Sequence, residues 1–240
     1  MRHERLGNLS AIVCGGDDGH GGGRGPVLVL LHGFGAPADD LVDLADSIPI
    51  PSGMRLVFPG APLELPQLGP SARAWWMVDL LELQIGFPGG HAARVFESEP
   101  SGLAAAREQI GMALDVLEQR YPSPAGGTIL GGFSQGAILA ADVAFRTSRP
   151  LGGLVLLSGM PVALSRWKPG MLTRQSLPVF HAHGRQDPLL PFGAGERLRD
   201  ALHEAGLVSR WHPFDGGHGV APSVCEALGT FLAEVVGEGA

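Results

Sequence analysis

Ser134, Asp187 and His218 are the residue types that together convert a hydroxyl into a nucleophile. A free serine hydroxyl attacks poorly; it needs a base to take its proton and an acid to hold that base in the right tautomer. Ser134 lies in Gly131-Gly132-Phe133-Ser134-Gln135-Gly136, after the β-type run Thr128-Ile129-Leu130 and before the helix-type run Ala137-Ile138-Leu139-Ala140-Ala141-Asp142-Val143-Ala144. A strand, a tight serine turn and a helix form the context that a G-x-S-x-G nucleophile elbow requires. The glycines two positions either side keep bulk away from the adjoining strand and helix. The N–H of Gln135 falls at a helix N-terminus, where negative charge is favoured. In a chain with 37 glycines the pattern alone could arise by chance, so the other parts of the site must decide.

Asp187 and His218 follow Ser134 by 53 and a further 31 residues, in the order Ser, acid, base. Each begins a loop after an expected strand, at the carboxyl edge of a sheet, where sites are built. His32-Gly33-Phe34-Gly35 follows the apolar run 27–31 and occupies the place of an oxyanion loop, with the N–H groups of Phe34 and Gln135 as its two donors. His20-Gly21-Gly22-Gly23 mimics such a motif but precedes a strand, and reads as part of a glycine-rich loop over 15–25. Asp215 rivals Asp187 but follows the last strand, where the base belongs. His181 and His183 share a strand face without a third ligand at metal spacing, and read as hydrogen-bonded strand histidines. His212 reads as structural and His32 as shaping its loop.

The positioning elements alternate. Strands are expected over 9–13, 27–31, 55–58, 128–130, 153–158, 178–183 and 208–214. Helices are expected over 38–47, 101–121, 137–147, 193–205 and 222–236. Alternation of this kind implies an α/β class, a mostly parallel central sheet with helices on both faces, in a single domain spanning 1–240. Residues 60–70, rich in proline and glycine, read as irregular. Residues 73–100 read as a lid-like excursion or pocket wall; Trp75, Trp76 and Phe87 there, with Leu189 after the acid, are the candidate acyl-binding residues.

Composition excludes several function classes. The net charge of −7, with a single lysine at Lys168, gives no electrostatic reason to bind nucleic acid or an anionic membrane. No apolar run is long enough for a secretory leader or a membrane span, so the cytoplasm is the default. Cys14 and Cys225 read as free thiols. The chemistry calls for no metal and no organic cofactor, and the composition is compatible with a monomer or a homo-oligomer.

Leu30-Leu31-His32-Gly33-Phe34-Gly35, Arg73-Ala74-Trp75, Gly132-Phe133-Ser134-Gln135-Gly136, His183-Gly184-Arg185-Gln186-Asp187-Pro188 and Gly217-His218 together resemble the phospholipase/carboxylesterase family, small serine esterases that include acyl-protein thioesterases. The resemblance covers nearly the whole chain and implies the α/β-hydrolase fold. It implies Ser134, Asp187 and His218 as triad, Phe34 and Gln135 as oxyanion donors, and the Trp75 segment beside the acyl pocket. The stretch Trp75-Trp76-Met77-Val78-Asp79 departs from the shorter aromatic–Asp pattern of the thioesterases. The expected activity is hydrolysis of small or medium-chain carboxylic esters. The alternatives are a thioesterase or lysophospholipase using the same residues, or a non-catalytic binder on this scaffold.

Overall fold

In the computed structural model, which describes residues 1–78, 92–124 and 127–237, the most apolar runs of the sequence are the central strands. β1 (Arg2–Leu6), β2 (Leu9–Gly16), β3 (His20–Gly22), β4 (Val27–Leu31) and β5 (Arg55–Pro59) come first. After β6 (Leu63–Glu64) and β7 (Arg73–Ala74) follow β8 (Thr128–Phe133), β9 (Gly153–Leu157), β10 (Val179–Gly184) and β11 (Ser209–Phe214). The main sheet runs β1-β2-β5-β4-β8-β9-β10-β11, with β3 beside β2 and the two-residue strands β6 and β7 paired apart. From β5 through β11 all pairings are parallel; β1 and β2 add an antiparallel edge.

Every residue of β4 and β9 is buried, as a strand covered on both faces demands. Because successive side chains point to opposite faces, Val27, Val29 and Leu31 join one core cluster while Leu28 and Leu30 join the other. Burial of each such side chain contributes about 2 kcal/mol relative to exposure. On the first face lie α3 (Leu103–Arg120), α4 (Gln135–Arg146), α5 (Leu164–Leu172) and α6 (Phe192–Glu204); on the second lie α1 (Leu44–Ser47) and α7 (Pro222–Val236). The short α2 (Ala92–Glu97) precedes α3.

Several expectations need correction. The helix foreseen over 38–47 is a run of tight turns, with Val42 N–H on Asp39 O at 3.0 Å, and only Leu44–Ser47 is helical. The stretch 15–25 is not simply a loop: β2 extends to Gly16, and His20–Gly22 pairs with it in parallel. Residues 60–70 contain β6, which pairs with β7 to tie down the excursion at its start. β1 was not foreseen, although Gly7-Asn8 closes a two-residue hairpin that sets Leu6 opposite Leu9. α5 was not foreseen either, and it contains Lys168-Pro169-Gly170, a helix-breaking signal. Tertiary contacts override it: Trp167 is buried and its indole N–H donates to Asp142 Oδ1 at 2.8 Å. Phe87 and the rest of 79–91, the middle of the excursion expected as a pocket wall, lie outside the described residues.

Candidate active site

β8 ends at Phe133, α4 begins at Gln135, and Ser134 stands between them at φ 54° and ψ −117°. A non-glycine residue at positive φ costs of order 1–3 kcal/mol and persists only where its surroundings enforce it. Here the enforcement is visible. The Ser134 N–H donates to Leu157 O of β9 at 2.8 Å, and Ile138 N–H closes the first helical turn on Ser134 O at 3.1 Å. A Cβ on Gly132 would come within 2.4 Å of the Gly136 backbone, and one on Gly136 within 2.0 Å of Leu31 O. Only glycine at both positions allows the elbow to close against β4.

The candidate acid and base arrive on neighbouring loops. β10 and β11 pair in parallel up to Gly184 and Phe214. Their loops stay stitched beyond the strands, through Arg185 N–H on Phe214 O and Gln186 N–H on Gly216 O, both at 2.9 Å. That stitching sets Asp187 beside His218, whose Nδ1 lies 2.6 Å from Asp187 Oδ2. The other carboxylate oxygen accepts the N–H groups of Leu189 and Leu190, each at 2.9 Å. Burial pushes the Asp187 carboxyl up, but the hydrogen bonds from His218 and Leu190 outweigh it and hold the group below the ordinary aspartate range. Facing a carboxylate, neutral His218 carries its proton on Nδ1, which leaves Nε2 free to accept. The His218 ring packs against Phe133, centroid to centroid 4.8 Å, which brings it to the residue next to Ser134. The Ser134 hydroxyl is not hydrogen bonded to His218, a contact that in unliganded sites is often long and tightens on binding. Asp215, the rival acid, points to solvent and lies 3.7 Å from Arg185.

The loop after β4 is held from several sides. His32 is buried; its Nδ1 donates to Gly33 O at 2.8 Å and its Nε2 accepts Ala61 N–H at 3.0 Å. Burial lowers its pKa to about 4, so the ring is neutral at working pH. Gly35 N–H donates to Arg73 O at 2.8 Å, and Arg73 N–H returns to Ala36 O at 3.1 Å. Phe34, half-buried, packs its ring on Leu65, Ala72 and Ala74. The Gln135 N–H belongs to the first turn of α4, where amides lack intrahelical partners and can serve an anion.

Trp75 and Trp76, expected to wall an acyl pocket, are buried at 2% and 3% exposure within the core. Their contacts are those of a brace. The Trp75 indole N–H donates to His32 O at 2.9 Å, and its backbone N–H donates to Gln135 Oε1 at 2.9 Å. Gln135 Nε2 in turn donates to Trp76 O at 2.8 Å. Sequence reasoning gave Gln135 only a backbone role; its amide side chain ties the elbow to residues 75–76. A buried polar residue opening an otherwise apolar helix was the available signal. Leu189 touches the acid through its backbone, while its side chain is 56% exposed.

Among the described residues no group of three or more His, Cys, Asp or Glu side chains could hold a metal, and no helix is long and apolar enough to cross a membrane. His181 and His183 are both buried on β10.

Among the described residues, a nine-stranded, mostly parallel sheet with helices on both faces and a serine elbow after a central strand defines an α/β-hydrolase of the serine-hydrolase class. The chain belongs to the Phospholipase/Carboxylesterase family, whose profile matches residues 11–236. It is 28% identical over 217 residues to acyl-protein thioesterase 1 of Saccharomyces cerevisiae, covering 85% of this chain and 90% of that one. A second acyl-protein thioesterase 1, from Mycosarcoma maydis, is 28% identical over 220 residues, covering 87% and 90%. Among solved structures, esterase PE8 superposes with a TM-score of 0.76 at 26% identity, covering 95% of this chain and 99% of that one.

Proposed function

We propose that the protein is a serine carboxylesterase that cleaves small or medium-chain carboxylic esters through an acyl-enzyme, with the whole chain as one catalytic domain. The observation that carries this reading is the 2.6 Å hydrogen bond between Asp187 and His218 on the loop beside the Ser134 elbow. Neutral His218 takes the Ser134 proton on Nε2 as Oγ adds to the ester carbonyl. The tetrahedral oxyanion accepts hydrogen bonds from the N–H groups of Phe34 and Gln135, each worth about 3–4 kcal/mol in comparable sites. The C–O bond to the alcohol breaks, and the imidazolium gives its proton to the leaving oxygen. Water then adds to the acyl-enzyme with His218 again as base, releasing the acid and restoring the Ser134 hydroxyl. Asp187 keeps the ring in its tautomer and stabilises it while charged.

A second reading, an acyl thioesterase, is supported by the names of the two fungal relatives. The same residues serve it, because a thiolate leaves more readily than an alkoxide. Specificity constants on p-nitrophenyl esters of increasing chain length, set against matched acyl thioesters, separate the two. A higher constant for the short esters supports the carboxylesterase, and a clear preference for long-chain thioesters supports the thioesterase. We assign the enzyme to the cytoplasm, a reading supported by its two buried free thiols, Cys14 and Cys225.

A further inference from the structure

His183 is fully buried on β10, four residues before Asp187, and its ring reaches the carboxylate that holds His218. Nε2 lies 2.8 Å from Leu190 O and 3.4 Å from Asp187 Oδ2. Both of these partners are acceptors, so the ring proton sits on Nε2. The amides of Leu189 and Leu190 are the pair that donate to Asp187 Oδ1. His183 therefore grips the carbonyl end of the same short turn whose amide end orients the acid. A slot is kept for the ring by α6: a Cβ on Gly195 would come within 2.6 Å of it, and the Phe192 ring stands edge-on at 6.3 Å.

We propose that His183 is a positioning residue for the acid, fixing the 187–190 turn so that Asp187 presents Oδ2 to His218. This rests on the assignment of Asp187 and His218 as acid and base. Burial keeps the His183 ring below the ordinary imidazole range, although the Leu190 carbonyl and the Asp187 charge pull the other way. The ring thus stays a neutral donor while the enzyme works. Among the described residues, the titratable and charged groups facing it are Asp187 and His218 on the loops and His181 on its own strand; Arg199 of α6 acts on His181. None of them but Asp187 offers a carboxylate.

The test compares three variants with the wild type. His183→Phe keeps the bulk and removes the donor, His183→Gln keeps a donor near the Nε2 position, and Gly195→Ala displaces the ring from α6. With the turn released, His183→Phe is expected to lose kcat by about 10- to 100-fold with KM within about twofold. Its acid limb of the pH–rate profile is expected to move to lower pH, because the imidazolium loses its oriented carboxylate. Gly195→Ala should follow His183→Phe, and His183→Gln should recover to within about fivefold of wild type. A folded His183→Phe with wild-type kcat and an unmoved limb overturns the proposal, as does a folded His183→Gln that falls as far as His183→Phe. Should His183→Phe fail to fold, the other two variants decide by the same criteria. Titration of the His218 ring by NMR needs no turnover. If the wild type neither cleaves esters nor reacts with a phosphonate, the proposed function fails, and an identical His218 titration in wild type and variant separately overturns the positioning role.

Discussion

The site has two halves built on different principles. The proposed acid–base half, Asp187 and His218, sits on two loops that continue the parallel register of β10 and β11, so strand order brings the two loops together. The proposed oxyanion half is assembled from four distant segments, 32–36, Ala61, 73–76 and the start of α4, joined by buried hydrogen bonds between polar groups. The first half is held by topology, by the Asp187–His218 bond and by the Leu189 and Leu190 amides on Asp187 Oδ1. The second is a network in which every unpaired member would be left buried, and such networks couple stability to geometry. Damage to the first half should therefore cost rate with little stability; damage to the second should cost both.

The largest expected effect lies in the acid. Asp187→Asn preserves the shape of the carboxyl but supplies a donor where His218 needs an acceptor, and kcat should fall by about 10⁴-fold. Thermal unfolding, measured alongside kcat, should move little by comparison. A similar loss from Asp215→Asn instead would reassign the acid.

Gln135→Ala probes the other half. It strands the Trp75 N–H and the Trp76 carbonyl, each at a cost of about 1–3 kcal/mol. Urea denaturation should register that loss, and kcat should drop by about 10- to 100-fold as the oxyanion loop loses its brace. A stable, inactive variant would break the proposed link between stability and rate in this half.

His32 gives the same half a pH signature. Its folded pKa of about 4 lies below its unfolded value, so the unfolded chain binds the proton first and stability falls as pH drops from roughly 6.5 to 4. The full contribution, present above pH 6.5, is about 3 kcal/mol. Protonation would also cost the acceptor that Nε2 offers to Ala61 N–H. His32→Gln keeps an acceptor without titrating, so its unfolding free energy between pH 7 and 4 should fall less than that of wild type by about that amount. The depressed histidines His181 and His183 contribute to both proteins and cancel in the difference. For Asp187 the window is different: its carboxyl is depressed, so its contribution is present above about pH 4 and lost below it.

The smallest effect belongs to Asp215. It is solvent-exposed and pairs loosely with Arg185, so Asp215→Asn should leave kcat/KM within about twofold and stability within about 0.5 kcal/mol.

The same contrast governs what the sequence could reveal. Apolar runs such as 27–31 and 153–157 announce strands buried on both faces, and once strand order is known the loops carrying Asp187 and His218 follow. Local signals failed where distant contacts decide. Lys168-Pro169-Gly170 marks a break, yet Trp167 reaching Asp142 keeps α5 helical. The helix foreseen at 38–47 is mostly turns, with Asp40 N–H on Pro37 O at 3.3 Å. Nothing local to Trp75 and Trp76 says that Gln135, some sixty residues later, will bind their backbone. His183 is similarly silent, since its partner carbonyl at Leu190 depends on a turn the strand pattern does not specify.

The proposed chemistry stands on Ser134 as the nucleophile. Reaction with a fluorophosphonate followed by peptide mapping tests this most directly, since the reagent phosphonylates an activated serine Oγ and expels fluoride. A single adduct on Ser134 is expected, with loss of both labelling and p-nitrophenyl ester hydrolysis in Ser134→Ala. An adduct on another serine, or unchanged labelling of folded Ser134→Ala, would contradict it.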